Sequence, residues 1–129
     1  MTRAATAAPT AVVRVLQVAT VLTTLNVLLQ FITAGQLFPE GGPEELHAGG
    51  AIALHVFSGV AALAAIVLWR QAHTTVLLPV LAVVVFLATL VQAAIGGRDT
   101  LWIHVPGAMV LTAGVIWLLV LVVPIGRRA

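Results

Sequence analysis

The chain contains four histidines, and two of them, His47 and His55, frame the stretch "HAGGAIALH" where a long apolar run begins; a third, His104, opens a later run. Imidazole is the usual axial ligand of haem and also suits iron, copper and zinc. His47 and His55 are eight residues apart, so on one helix they stand about 12 Å apart along the axis and some 80° around it. One metal or haem iron cannot be held by both. A site at this end therefore needs a ligand from elsewhere, and His104 is the candidate. The fourth histidine, His73, falls in a loop beside Arg70 and reads as a solvated residue.

These side chains have to be held by elements that composition identifies. Of 129 residues, 61% are hydrophobic and 8% charged, with a mean hydropathy of +1.16. Such a chain cannot present a soluble surface and belongs in a lipid bilayer. Four stretches, near 11–36, 48–69, 75–96 and 101–123, are long enough to cross a hydrocarbon core of about 30 Å, which takes roughly 20 helical residues. Unpaired backbone groups are too costly in lipid for anything but helices here, because the runs lack the polar alternation of barrel strands. The expectation is one all-α domain, an integral membrane four-helix bundle.

Arg3, Arg14, Arg70, Arg127 and Arg128 fall on one side of the bilayer. Glu40, Glu44, Glu45 and the neighbours Arg98 and Asp99 fall on the other. The positive-inside rule then puts both termini in the cytoplasm, and His47, His55 and His104 in the outer half. The first run is too long for a signal-peptide core, so it is expected to be retained in a chain that starts at Met1. With no cysteine, thiolate chemistry, disulfides and iron–sulfur clusters are excluded. The absence of lysine beside six arginines points to a GC-rich bacterial genome, and hence to the bacterial inner membrane. So few charges give no footprint for nucleic acid.

Pro43, Glu44 and Glu45 suit a helix start, which would extend the second helix outward to near Pro43 and leave His47 shallow. Asp99 and Thr100 are expected to cap the fourth helix. Trp69 and Trp102 sit near helix ends, and Pro79 is expected in the second turn of helix 3, where it would kink it. "LLQFITAG" at the end of helix 1 echoes "LVQAAIGG" at the end of helix 3, and "HVFSGVAALAAIVLW" echoes "HVPGAMVLTAGVIWL". Two repeated helical hairpins follow, related by a pseudo-twofold axis along the membrane normal. This alignment pairs His55 with His104. Counting from the arginines pairs His47 instead: His47 to Arg70 spans 23 residues, as does His104 to Arg127. Both pairings stand.

"EELHAGGA", leading into a helix that ends in Trp69 and Arg70, resembles the Glu-x-x-His opening of the second helix in each half of haem A synthase. "VQAAIGGRDTLWIHVPGAMVL" is similar to that family's Gln, Gly-Gly and His run into the fourth helix. The chain also looks like small four-helix membrane proteins of GC-rich bacteria with histidines opening helices 2 and 4. The resemblance implies a four-helix bundle binding haem b through outer histidines of helices 2 and 4. The family's cysteine pair and its histidine–arginine pair are not found here, so haem oxidation does not carry over.

The expected function is that of a b-type cytochrome-like protein, for electron transfer with a quinone or membrane redox partner, or for haem sensing. Its ligands would be His104 with His55 or His47. Gln30 and Gln92, near the histidine depth, would bond the imidazoles' second nitrogens or serve as interhelical glue, as Asn26 and Gln17 would deeper in. Arg98 would meet a haem propionate or pair with Asp99. Gly49, Gly50, Gly59, Gly107 and Gly114 would leave room for a macrocycle or tighten helix packing. Two other readings are a cofactor-free scaffold or accessory subunit, and a copper or zinc site on His47, His104, Glu44 and Glu45. Self-association into a homo-oligomer is compatible with each. No nucleophile–base pair, phosphate loop or intramembrane carboxylate supports hydrolytic, phosphoryl-transfer or proton-pump chemistry.

Overall fold

The computed structural model describes residues 10–37, 42–72 and 74–125. His73, Glu40, Arg3, Arg127 and Arg128 lie outside them. Four helices account for nearly all of the described chain: α1 (Thr10–Gln36), α2 (Glu44–Ala72), α3 (Leu77–Ala94) and α4 (Leu101–Val122), with a 3-10 turn (Arg98–Thr100) leading into α4. All four are long and apolar enough to span a membrane.

Each helix packs on the next and α1 closes the ring against α4, so α1/α3 and α2/α4 are the diagonal pairs. The arrangement follows from short connections between long apolar helices, which make neighbours antiparallel. One end carries His47 and His104, and the other carries Arg14 and Arg70; they are called here the histidine end and the arginine end. Large apolar side chains such as Ile32, Leu63, Val84, Met109 and Val110 point away from the bundle.

Helix limits differ from the apolar runs where turn chemistry intervenes. α2 starts at Glu44, four residues before its apolar run, because the Pro43 carbonyl accepts from Leu46 N (3.2 Å) and two carboxylates suit the first turn. Pro79 lies in the first turn of α3 rather than the second. Its missing N–H is therefore one that has no intrahelical partner, and no kink follows. The proline inside a helix is Pro106 of α4. Thr100 occupies the N-cap position without capping: its hydroxyl donates to the carbonyls of Ile95 (2.6 Å) and Gly97 (2.9 Å), closing the α3–α4 turn.

The core changes character along its length. Gln30 of α1 lies against Gly50 of α2, and Gln92 of α3 against Gly107 of α4, which fixes the levels of the antiparallel pairs. Counting down from there, the arginine-end half is filled by Leu16, Leu68, Leu118 and Val122, each at most 1% exposed. From Thr20 toward the histidine end the buried side chains are polar as well: Thr20, Thr23, Asn26 and Thr33 on α1, Ser58 on α2 and Thr89 on α3. Thr23, Thr33 and Ser58 donate to carbonyls one turn back on their own helices.

At the arginine end the Gln17 amide donates to Ile125 O (3.0 Å) and Val122 O (3.4 Å). It satisfies carbonyls at the end of α4 that have no intrahelical donor, and so acts as the interhelical glue the sequence suggests. Gln17→Leu is expected to lower stability by about 1 kcal/mol, as for a typical interhelical bond in a membrane protein. Unfolding in mixed detergent micelles measures it.

Candidate functional site

His47 and His104 end the two buried stripes of the diagonal helices. On α2 the stripe runs His47, Gly50, Leu54, Ser58, Ala61, Ala65 and Leu68; on α4 it runs from His104 through Leu111, Val115 and Leu118 to Val122. Alternating steps of three and four residues keep such a series on one helix face. Both imidazoles are half-buried and bond to the neighbouring helix of the bundle, His47 to α1 and His104 to α3.

A backbone carbonyl fixes which ring nitrogen of His104 carries the proton. His104 Nδ1 donates to the Gln92 carbonyl at 3.1 Å, because a carbonyl can only accept. The lone pair is left on its Nε2, the state of a metal- or haem-ligating histidine whose other nitrogen is held by an acceptor. His47 Nδ1 lies 3.0 Å from Thr33 Oγ1, a hydroxyl that also reaches the Leu29 carbonyl at 3.0 Å.

The surroundings of the two histidines repeat. One turn below His47, Gly50 admits the end of the Gln30 side chain; one turn below His104, Gly107 admits that of Gln92. A Cβ at either glycine would overlap the glutamine amide. Gln30 Nε2 donates to the His47 carbonyl at 3.2 Å, and Gln92 Oε1 is buried with no partner among the described residues. Neither glutamine side chain reaches an imidazole nitrogen; Gln30 bonds across to α2, the interhelical role that the sequence also offers. Thr33 and the Gln92 main-chain carbonyl hold the rings instead.

His55 has a different setting. Two turns deeper on α2, it faces the adjacent helix, with Nδ1 3.0 Å from Thr89 Oγ1, whose proton goes to the Phe86 carbonyl at 2.6 Å. The structure bonds His55 to α3. Gln30 against Gly50 and Gln92 against Gly107 give "HAGG" and "HVPG" matching surroundings. Arg98 is exposed at the histidine end. Glu44 and Glu45 are exposed in the first turn of α2. Among the described residues no three His, Cys, Asp or Glu side chains are grouped so as to hold a metal ion.

Thr33 is the contact that sequence reading missed. Its signal was its place on α1, three residues beyond Gln30, facing the start of α2. Comparison with protein-family models, curated proteins and solved structures finds no match to the chain.

Proposed function

We propose that this chain is a membrane haem b protein, a b-type cytochrome-like bundle in which His47 and His104 would hold the haem iron. The observation that carries the reading is the pair of half-buried imidazoles on diagonal helices, His104 with Nδ1–H on the Gln92 carbonyl and His47 with Nδ1 on the Thr33 hydroxyl; with Thr33 accepting, both Nε2 lone pairs would face iron. That donor set suits haem iron, and side chains on facing helices of a four-helix bundle can hold such a group. Bound haem supplies a one-electron couple between ferric and ferrous iron.

The chain's own residues have three tasks. His47 and His104 present their Nε2 atoms to the iron. Thr33 and the Gln92 carbonyl keep the rings in the ligating tautomer and orientation. Arg98, the cation at this end, pairs with a propionate in a charge-assisted bond. Two repeated hairpins, each bringing a glutamine, a histidine and a glycine, build this arrangement. The distribution of Arg14 and Arg70 against Glu44, Glu45 and Asp99 supports an inner-membrane orientation with cytoplasmic termini and the histidine end outside. The function is electron transfer with a quinone or another membrane redox partner, the site lying near one face of the bilayer.

The visible spectrum of detergent-purified protein, oxidised and then dithionite-reduced, tests the reading, with metal analysis of the same sample. A sharp reduced α-band with one iron per chain is the expected result. A colourless protein that takes up no haem on titration removes the reading and leaves a cofactor-free scaffold in its place.

A smaller effect isolates Thr33. Thr33→Val removes the acceptor for His47 Nδ1–H while keeping side-chain shape, and is expected to weaken haem binding about 10–100-fold, the usual cost of losing such a partner. Haem titration of the variant measures it, and Thr33→Ser is expected to restore most of the affinity.

A further inference from the structure

Apart from Thr33, which holds His47, the buried polar side chains on the histidine-end side of Thr20 have no part in ligation. On α1 the buried Thr20, Thr23, Asn26 and Thr33 and the half-buried Gln30 form a series in steps of three or four residues, so each rises about 4.5–6 Å above the last. Asn26 is 7% exposed and its Oδ1 has no partner among the described residues; Thr20 is fully buried and its Oγ1 has none either. Gln92 Oε1 is the third such atom in this half of the bundle. Ser58 and Thr89 expose acceptor lone pairs beside them, having given their protons to backbone carbonyls.

A buried amide or hydroxyl oxygen left unpaired in an apolar interior is costly, and proteins meet that cost with internal water making two to four bonds to polar partners. The rise between successive groups matches one bridging water, which spans two hydrogen bonds. At the other end of the core Leu16, Leu68, Leu118 and Val122 are each at most 1% exposed. The polar groups at that end include the Gln17 amide, bonded to the Ile125 and Val122 carbonyls, and the Thr74 hydroxyl, and the buried polar series of the core lies on the histidine side of these apolar side chains.

We propose that the histidine-end half of the bundle is a blind, hydrated vestibule, in which internal water held by Asn26 and Thr20 connects His55 to the histidine face, and that the leucine-rich half is its plug. The vestibule gives His55 a route for protons from one face alone: a proton passes from vestibule water to the Nε2 lone pair, Nδ1–H stays on Thr89, and the water is restored from bulk at the same face. No charge crosses the membrane in that step. The proposal does not depend on haem binding.

The chain contains no cysteine, so single cysteines report depth without a background. The test places Thr23→Cys and Ser58→Cys in the vestibule and Ala65→Cys and Ala82→Cys in the plug, in lipid nanodiscs that leave both faces accessible. All four positions are at most 1% exposed, so exposure to bulk solvent does not separate them. Silver ion, of nearly the size of water, is the probe, and protection from later maleimide labelling in denaturant is the readout. Reaction at positions 23 and 58 is expected to be at least about tenfold faster than at 65 and 82, because only a hydrated thiol forms the reactive thiolate. Adding Asn26→Leu is expected to slow position 23 toward the plug rate while a Thr33→Cys control at the mouth stays fast. Equal, slow reaction at all four positions shows a dry core and overturns the proposal. Equal, fast reaction overturns it too, because the plug is then open.

Discussion

Replacing His104 by alanine is expected to abolish high-affinity haem binding. His104 ends the core stripe of α4 with its ring held by the Gln92 carbonyl. Without it the iron has one protein ligand, because His55 faces Thr89 on α3 and cannot take its place. The loss is expected to exceed the roughly 10–100-fold penalty of removing an outer-shell partner. His47→Ala is expected to do the same from the other helix, whereas His55→Ala should keep the wild-type affinity. Parallel haem titrations of the three variants measure this, with circular dichroism to show that each stays helical.

The second large effect lies in the plug. Leu68 is fully buried among Leu16, Leu118 and other apolar side chains of the arginine-end half. Lipid tails are as apolar as leucine, so the packing of these side chains, rather than exclusion of water, holds the helices together here. Leu68→Ala leaves a cavity that four packed helices cannot readily close, and should cost about 2–5 kcal/mol. Leu63 on the same helix is 66% exposed, and Leu63→Ala, which opens no cavity, should stay within about 0.5 kcal/mol. Unfolding of both variants in mixed micelles gives the contrast.

The helices were legible in the sequence because length and apolarity leave a membrane chain few other solutions. Their ends depended on particular residues. Pro43, Glu44 and Glu45 correctly placed the start of α2, since a helix start gains from a proline and acidic side chains. Pro79 misled because the apolar run begins before the helix does. Thr100 misled because its hydroxyl found stronger acceptors in the preceding turn than the donors of its own helix.

The histidine pairing shows where letter similarity and geometry part. "HVFSG" shares more with "HVPGA" than "HAGG" does, yet only His47 stands at the top of a stripe that descends through Gly50, Leu54 and Ser58 to Leu68. Depth counted from the arginines favours His47 because it measures position along the bundle rather than resemblance between residues, and Arg127, one end of that count, lies outside the described residues. Thr33 was hidden for another reason: it meets His47 across a turn, and a threonine in an apolar helix is most often bonded only to its own backbone. Of the polar series of α1, Asn26 and Gln30 were visible in the sequence as interhelical glue, and the threonines were not. Only burial and the unpaired oxygens of Thr20 and Asn26 mark it as something else.

The central claim is that His47 and His104 together form the ligand pair. The most direct measurement is electron paramagnetic resonance of ferric haem bound to wild type, His47→Gly and His55→Gly, each with and without free imidazole. The account expects a low-spin bis-imidazole signal in wild type and His55→Gly, its loss in His47→Gly, and its return there when imidazole fills the space. A low-spin signal that survives in His47→Gly and disappears in His55→Gly would contradict it and put the ligand two turns deeper in the bundle.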